Sequence, residues 1–264
     1  MGRDDPVSVT RTSFSLPLIF AVLAAAFVFV PSARAADAPA DRYAPARQAM
    51  VDEIRASTRE TAAYTRVERL SDPVLNAMAR VPRHEFIPAT LAAQAYANRP
   101  LPIGEGQTIS QPFIVALMTE LARPGPAGRV LEVGTGSGYQ AAVLAELAGE
   151  VYTIEIVEPL ARRAGETLRR LGYKNIQIRV GDGYKGWPER APFDAIVVTA
   201  APDHVPPTLV EQLAPGGRLV IPVGPQSAVQ ELLVIEKLPD GRTVETRKLP
   251  VRFVPLVRDR QPGS

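Results

Sequence analysis

A doubly wound, mostly parallel α/β sheet with helices on both faces and a C-terminal antiparallel hairpin is the fold that this sequence predicts. Three observations carry the prediction. In Arg129–Gln140, RVLEVGTGSGYQ, a short apolar run enters three glycines on alternate positions, and an Ala-rich run of helical spacing, Ala141–Ala148, follows at once. That order reads as buried strand, tight turn and helix, the opening unit of a Rossmann-like nucleotide-binding sheet. Further apolar runs at Val151–Ile154, Ile176–Val180, Ala195–Thr199 and Arg218–Val223 have the continuity of parallel strands. Finally, Glu231–Leu238 and Thr243–Leu249 flank Pro239-Asp240-Gly241, a hairpin signal.

The elements follow in chain order. Leu18–Val30 (LIFAVLAAAFVFV) is uncharged and apolar, and Ala33-Arg34-Ala35 follows Pro31. This is the h-region and A-x-A site of a signal peptide over residues 1–35, with the cut after Ala35 and a periplasmic or secreted product. The run is short for a bilayer span, and Asp4 and Asp5 offset Arg3 and Arg11 in the n-region. A retained membrane anchor and a misassigned start codon, which would leave the protein cytoplasmic, are the alternatives. Residues 36–49 read as a flexible Ala/Pro-rich entry segment. Residues 50–264 form one domain, a helical part at 50–128 and the sheet with its hairpin at 129–264. Met50–Tyr64 is helical. So is Asp72–Ala79, with Asp72 as N-cap and Pro73 at the first helical position. Leu91–Ala97 adds a helical turn, Pro100–Gly106 is extended, and Ile114–Leu121 is a helix that starts from Ser110-Gln111-Pro112. Pro215-Gly216-Gly217 is a turn, with Glu211–Leu213 closing the helix before it.

Composition narrows the chemistry. With 264 residues, 46% hydrophobic content and a formal charge of +2, the chain suits one larger globular domain, with no basic block for nucleic acid. The absence of cysteine excludes disulfides, a thiol nucleophile and cysteine–zinc sites. With only His84 and His204 as histidines, no metal site is expected. His84 is expected to bond backbone and His204 to lie at the surface, while Tyr184 and Trp187 pack a loop.

The glycine turn selects the cofactor. A dinucleotide turn reads G-x-G-x-x-G. Here the pattern is Glu132-x-Gly134-Thr135-Gly136-Ser137-Gly138, with Tyr139 in the place of the last glycine. Glu132 would repel a pyrophosphate and suits a cationic ligand, which favours S-adenosylmethionine over NAD. Glu155, about 20 residues beyond the first glycine, ends the next strand, where a carboxylate accepts from both ribose hydroxyls. The third strand ends in Gly181-Asp182-Gly183. Asp182 there either receives the adenine amino group or makes an Asx-turn. Acidic strand ends in succession favour a cofactor crevice at the carboxyl end of the sheet.

Beyond these local signals, Pro100–Glu120 (PLPIGEGQTISQPFIVALMTE), VPRHEFIP at 81–88, VLEVGTGSGYQAAVLA at 130–145, GDGYKGWP at 181–188, FDAIVVTAA at 193–201 and GRLVIPVG at 217–224 resemble, in order, the motifs of protein-L-isoaspartate O-methyltransferases. The likeness covers roughly residues 50–257. It implies methyl transfer from S-adenosylmethionine to the free α-carboxylate of L-isoaspartyl residues in damaged proteins and peptides, by a protein expected to act as a monomer. By resemblance Ser110 is the active-site serine, and Thr108, Ile109, Gln111, Val223 and Gln230 line the isoaspartyl pocket. The stretch QSAVQ after Pro225 departs from the family's glycine-rich version. Read from the residues alone, Ser110 caps the following helix or orients a carboxylate at its N-terminus, two compatible roles. Methylation of another carboxylate or small molecule, and non-catalytic binding of cofactor or peptide, are the competing classes.

Overall fold

The computed structural model describes residues 41–259 together with the first two; the expected signal peptide at 1–35 lies almost wholly outside the described residues. The helical part comprises α1 (Ala44–Thr65) and α2 (Asp72–Arg80), then the small hairpin β1 (Leu101–Gly104) and β2 (Gln107–Ile109), then α3 (Pro112–Ala122). The sheet part runs β3 (Arg129–Val133), α4 (Tyr139–Ala145), β4 (Glu150–Glu155), α5 (Glu158–Arg170), β5 (Ile176–Val180), β6 (Phe193–Val198), α6 (Pro207–Glu211), β7 (Leu213–Val223), β8 (Gln230–Lys237) and β9 (Thr243–Val251).

The seven strands lie in the order β5-β4-β3-β6-β7-β8-β9. Pairings from β5 through β7 are parallel, and β8 and β9 add antiparallel strands at one edge. The chain moves outward from β3 to β5 and returns to place β6 on the other side of β3. The carboxyl ends of β3 and β6 therefore form the topological switch point, where open α/β sheets bind ligands.

Strand alternation divides the core. Val130, Val151, Ala195, Val197 and Val220 face one cluster with buried residues of α1 to α5, such as Ile54, Met78, Leu117, Leu144 and Leu168. Leu131, Val133, Ile154, Ile196, Val198 and Leu219 face the other, covered by Leu209 of α6 with Trp187 and Leu256 at its margin. The central strands β3, β4 and β6 are buried on both faces, hence their near-continuous apolar sequences.

Three local expectations are corrected. The entry segment expected to be flexible to residue 49 is helical from Ala44, because Tyr43 stacks on His84 at 3.9 Å and Met50 and Val51 are buried. The N-cap of α2 is Ser71, with Asp72 already helical; the Ser71 hydroxyl and amide are both spent on Glu120 of α3, at 2.7 and 2.9 Å. Pro215-Gly216-Gly217 does not precede β7 but lies within it: the strand begins at Leu213, and its register with β6 shifts between Phe193 and Ala195.

Candidate active site

The carboxyl ends of β3, β4 and β6 and the hairpin β1–β2 enclose a cavity of about 760 Å³, mouth included. Its walls include Thr108, Ile109, Ser110, Glu132, Gly134, Thr135, Gly136, Ser137, Glu155 and Gly183. Gly134 has φ of +99°, and a Cβ there would sit 2.5 Å from the Thr199 hydroxyl, so the turn needs glycine. That hydroxyl donates to the Gly134 carbonyl at 2.6 Å and ties the turn to the end of β6.

Two carboxylates stand in the cavity with different environments. Glu155 ends β4 and accepts from the amides of Gly136 at 2.7 Å and Val157 at 2.9 Å, which fixes both its oxygens beside the turn. Glu132 is fully buried; one oxygen accepts from Thr153, and Oε1 has no partner among the described residues. Burial, reinforced by the charge of Glu155, pushes its carboxyl up to about 8 against the hydrogen bond from Thr153. An orphaned carboxylate oxygen in the cleft matches a cationic donor from a ligand. Gln140 adds a second orphan: its Nε2 donates to Thr119 at 2.9 Å while Oε1 is unpaired among the described residues. Two acceptors that lack donors, a glycine cradle and a strand-end carboxylate fit a nucleoside bearing an amino-acid tail, so these residues fit S-adenosylmethionine.

Asp182 is buried and its Oδ1 accepts from the Tyr184 amide at 2.9 Å, the Asx-turn alternative. Gly183 lines the cavity and Asp182 does not. Gly138 stands outside the wall as well, at the N-cap of α4.

A second cavity, about 1280 Å³ on the same measure, adjoins the first. Thr108, Ser110, Thr199 and Val254 belong to both, and Gln111, Phe113, Leu249 and Phe253 line the second. Ser110 thus sits where a cofactor and a second substrate would meet. It does not cap α3: the N-cap is Gln111, and the Asn98 side chain takes the Phe113 amide at 2.9 Å. The Ser110 hydroxyl makes no hydrogen bond among the described residues, while its carbonyl accepts from Arg83 at 2.7 Å. Val223 and Gln230 reach neither cavity wall. Gln230 is instead a buried clamp, its Oε1 accepting from the Phe253 amide at 2.8 Å.

Several wall residues carry no local sequence signal. Val254–Val257 return along β6, with the Ala201 amide donating to Val254 at 2.8 Å and the Leu256 amide to Ala201 at 2.9 Å, and close one side of the cofactor cavity. Gln140 closes the glycine-turn stretch and Thr199 ends a run that reads simply as strand; only the tertiary fold aims them inward. His84 bonds the Tyr96 hydroxyl at 2.7 Å rather than backbone, and burial lowers its pKa. His204 is exposed and pairs with Asp203 at 2.6 Å. Neither histidine lines either cavity.

The family model for protein-L-isoaspartate(D-aspartate) O-methyltransferase matches residues 59–261. The chain belongs to this family. A Polaromonas protein-L-isoaspartate O-methyltransferase 2 is 60% identical over 212 residues, covering 80% of this chain and all of that protein. A Cupriavidus necator protein-L-isoaspartate O-methyltransferase 1 is 56% identical over 254 residues, 96% of both chains. Among solved structures, a protein-L-isoaspartate O-methyltransferase aligns with TM-score 0.69 and 31% identity over 79% of this chain and 65% of that one. A Plasmodium falciparum protein described as the same enzyme, in complex with S-adenosyl-L-homocysteine, aligns with TM-score 0.66 and 27% identity over 81% of this chain and 99% of that one. The doubly wound sheet with its antiparallel edge is therefore the methyltransferase fold of this isoaspartate family.

Proposed function

We propose that the protein repairs damaged polypeptides by methylating the free α-carboxylate of L-isoaspartyl residues, and that Ser110 orients that carboxylate. The observation that carries the assignment of Ser110 is its place at the junction of the two cavities, with a hydroxyl free of intramolecular partners. When bound, S-adenosylmethionine supplies an activated methyl group. Glu132, Gly134, Thr135, Gly136, Ser137 and Glu155 would hold it, with Gly138, Asp182 and Gly183 shaping the turns around them. Glu132 would pair with its amino group and Glu155 with its ribose hydroxyls. Thr108, Ile109, Ser110 and Gln111 would hold the acceptor.

The chemistry suits a site without a histidine base. A carboxylate is ionised at neutral pH and needs no proton removed. What remains is alignment of oxygen, methyl carbon and sulfur, and orientation of this kind supplies up to roughly 7–11 kcal/mol of barrier reduction. Ser110 donates its hydroxyl hydrogen to one carboxylate oxygen and leaves the other to attack; the hairpin above it excludes water. The ester formed is activated toward the neighbouring backbone amide nitrogen, whose attack expels methanol and closes a succinimide; water then opens the ring and returns part of the damage to aspartate with no further protein group.

The test is methyl transfer from labelled S-adenosylmethionine to paired peptides, one L-isoaspartyl and one aspartyl. Label on the isoaspartyl peptide alone, as a base-labile ester, supports the reading. Label on neither, with the cofactor still bound, overturns it.

We also propose export, with cleavage after Ala35, and action as a monomer. The apolar run and A-x-A site support the first. An N-terminus at Ala36 in a periplasmic fraction and a monomer mass by light scattering are the expected results; an intact N-terminus in the cytosol overturns export.

A further inference from the structure

Arg83 has no role in the account so far, yet it is a fully buried side chain beneath Ser110. Its Nε donates to the Ala95 carbonyl at 2.9 Å, one terminal nitrogen donates to the Ser110 carbonyl at 2.7 Å, and the other has no hydrogen-bond partner among the described residues. The guanidinium carbon lies 4.7 Å from the centre of the Tyr139 ring. Tyr139 is the first residue of α4 after the glycine turn, and it lines the cofactor cavity. A single planar group therefore links the segment that bears Ser110 to the helix that carries the cofactor turn.

The charge is unusual. A buried cation normally has a carboxylate partner, because its desolvation is otherwise uncompensated. Among the described residues none lies within ion-pair distance of Arg83. Desolvation lowers its pKa only to about 10, so the group stays cationic at neutral pH. Two carbonyls and a ring face could be held by a neutral donor at less cost, and a structural role alone leaves the charge without a reason. The anionic acceptor bound at Ser110 supplies one.

We propose that Arg83 is a positioning residue for methyl transfer: its fork fixes the backbone of Ser110, and its unpaired charge draws the acceptor carboxylate to that end of the site. This rests on the isoaspartyl reading above. The charge acts on the carboxylate through the Ser110 peptide, without direct contact. The fork geometry matters independently, since a lysine ammonium keeps the charge and cannot span both carbonyls.

The experiment uses the full chain with Arg83→Met and Arg83→Lys, and two ligands: an isoaspartyl peptide and its α-carboxamide analogue as a competitive inhibitor. Steady-state KM and kcat, inhibition by the amide and cofactor binding by calorimetry are measured. Arg83→Met is expected to raise peptide KM about tenfold, from loss of a buried charge that acts at a distance, with inhibition by the amide and cofactor affinity changed less than about threefold. Arg83→Lys is expected to keep KM within about threefold and lower kcat about tenfold. A merely structural residue would weaken acid and amide alike, and that result overturns the proposal. If Arg83→Met does not fold, Arg83→Lys carries the test: unchanged kcat and KM there overturn the positioning role. Failure of the wild-type chain to methylate the peptide at all overturns the isoaspartyl reading instead, which keeps the two failures distinct.

Discussion

Replacing Glu132 with Gln probes how the cofactor is recognised, and the magnitude follows from burial. Without a ligand the Glu132 carboxyl is fully buried and pushed up to about 8. At pH 6.5 it is therefore mostly protonated, whereas an α-amino group with an ordinary pKa of about 7.7–8.0 is charged. Pairing the two requires the carboxylate. Binding of S-adenosylmethionine at pH 6.5 should thus release close to one proton, about 0.9. Calorimetric titration in two buffers of different ionisation enthalpy reads that number as a slope. Glu132→Gln should release none and bind about 10- to 150-fold more weakly, from the 1.5–3 kcal/mol of a hydrogen bond to a charged group. The same group sets a stability slope. Its folded pKa lies above the ordinary 4.5, so the folded chain binds the extra proton and the cofactor-free protein loses stability as pH rises from about 4.5 to about 8. By pH 7 the loss is on the order of 3 kcal/mol, and the variant should lack it. A slope of zero for wild type with normal affinity, or the same slope in the variant, refutes the pairing.

The remaining predictions are narrower. Glu155→Ala leaves the Gly136 and Val157 amides without acceptors, so it should cost about 1–3 kcal/mol in urea unfolding as well as cofactor affinity; weaker binding at unchanged stability would show that the two bonds are not formed. Ser110→Ala should lower turnover while the melting temperature stays within about 1 °C, because no cap is lost. A melting temperature lower by several degrees would return the residue to a structural role. Gly134→Ala places a methyl against Thr199 at a strained φ and should destabilise by about 1–3 kcal/mol, partly recovered in a Gly134→Ala/Thr199→Ala double variant; a neutral single variant would refute the cradle.

The fold was legible in the sequence wherever burial on both faces forces continuous apolar runs. The runs at Val130, Val151 and Ala195 became central parallel strands, the run at Ile176 became the parallel edge strand, and Pro239-Asp240-Gly241 became the hairpin turn. Local misreadings occurred where a side chain was committed at long range. Ser71 is claimed by Glu120, 49 positions away, and the Phe113 amide by Asn98, so neither cap follows from neighbouring residues. The site divides in the same way.

Residue type and spacing alone determined the strand–turn–helix unit, the acidic strand ends and the choice of a cationic nucleoside cofactor, because steric and electrostatic demands act there over a few residues. The tertiary structure decided which acceptors remain unpaired. It left Glu132 Oε1 and Gln140 Oε1 open, spent Asp182 Oδ1 on a turn, moved Gln230 to a clamp and brought Val254–Val257 over the cofactor cavity. It also set an unpaired guanidinium beneath Ser110. Hydrogen-bond satisfaction and desolvation depend on which distant segments pack together, and that arrangement exists only once the sheet has closed.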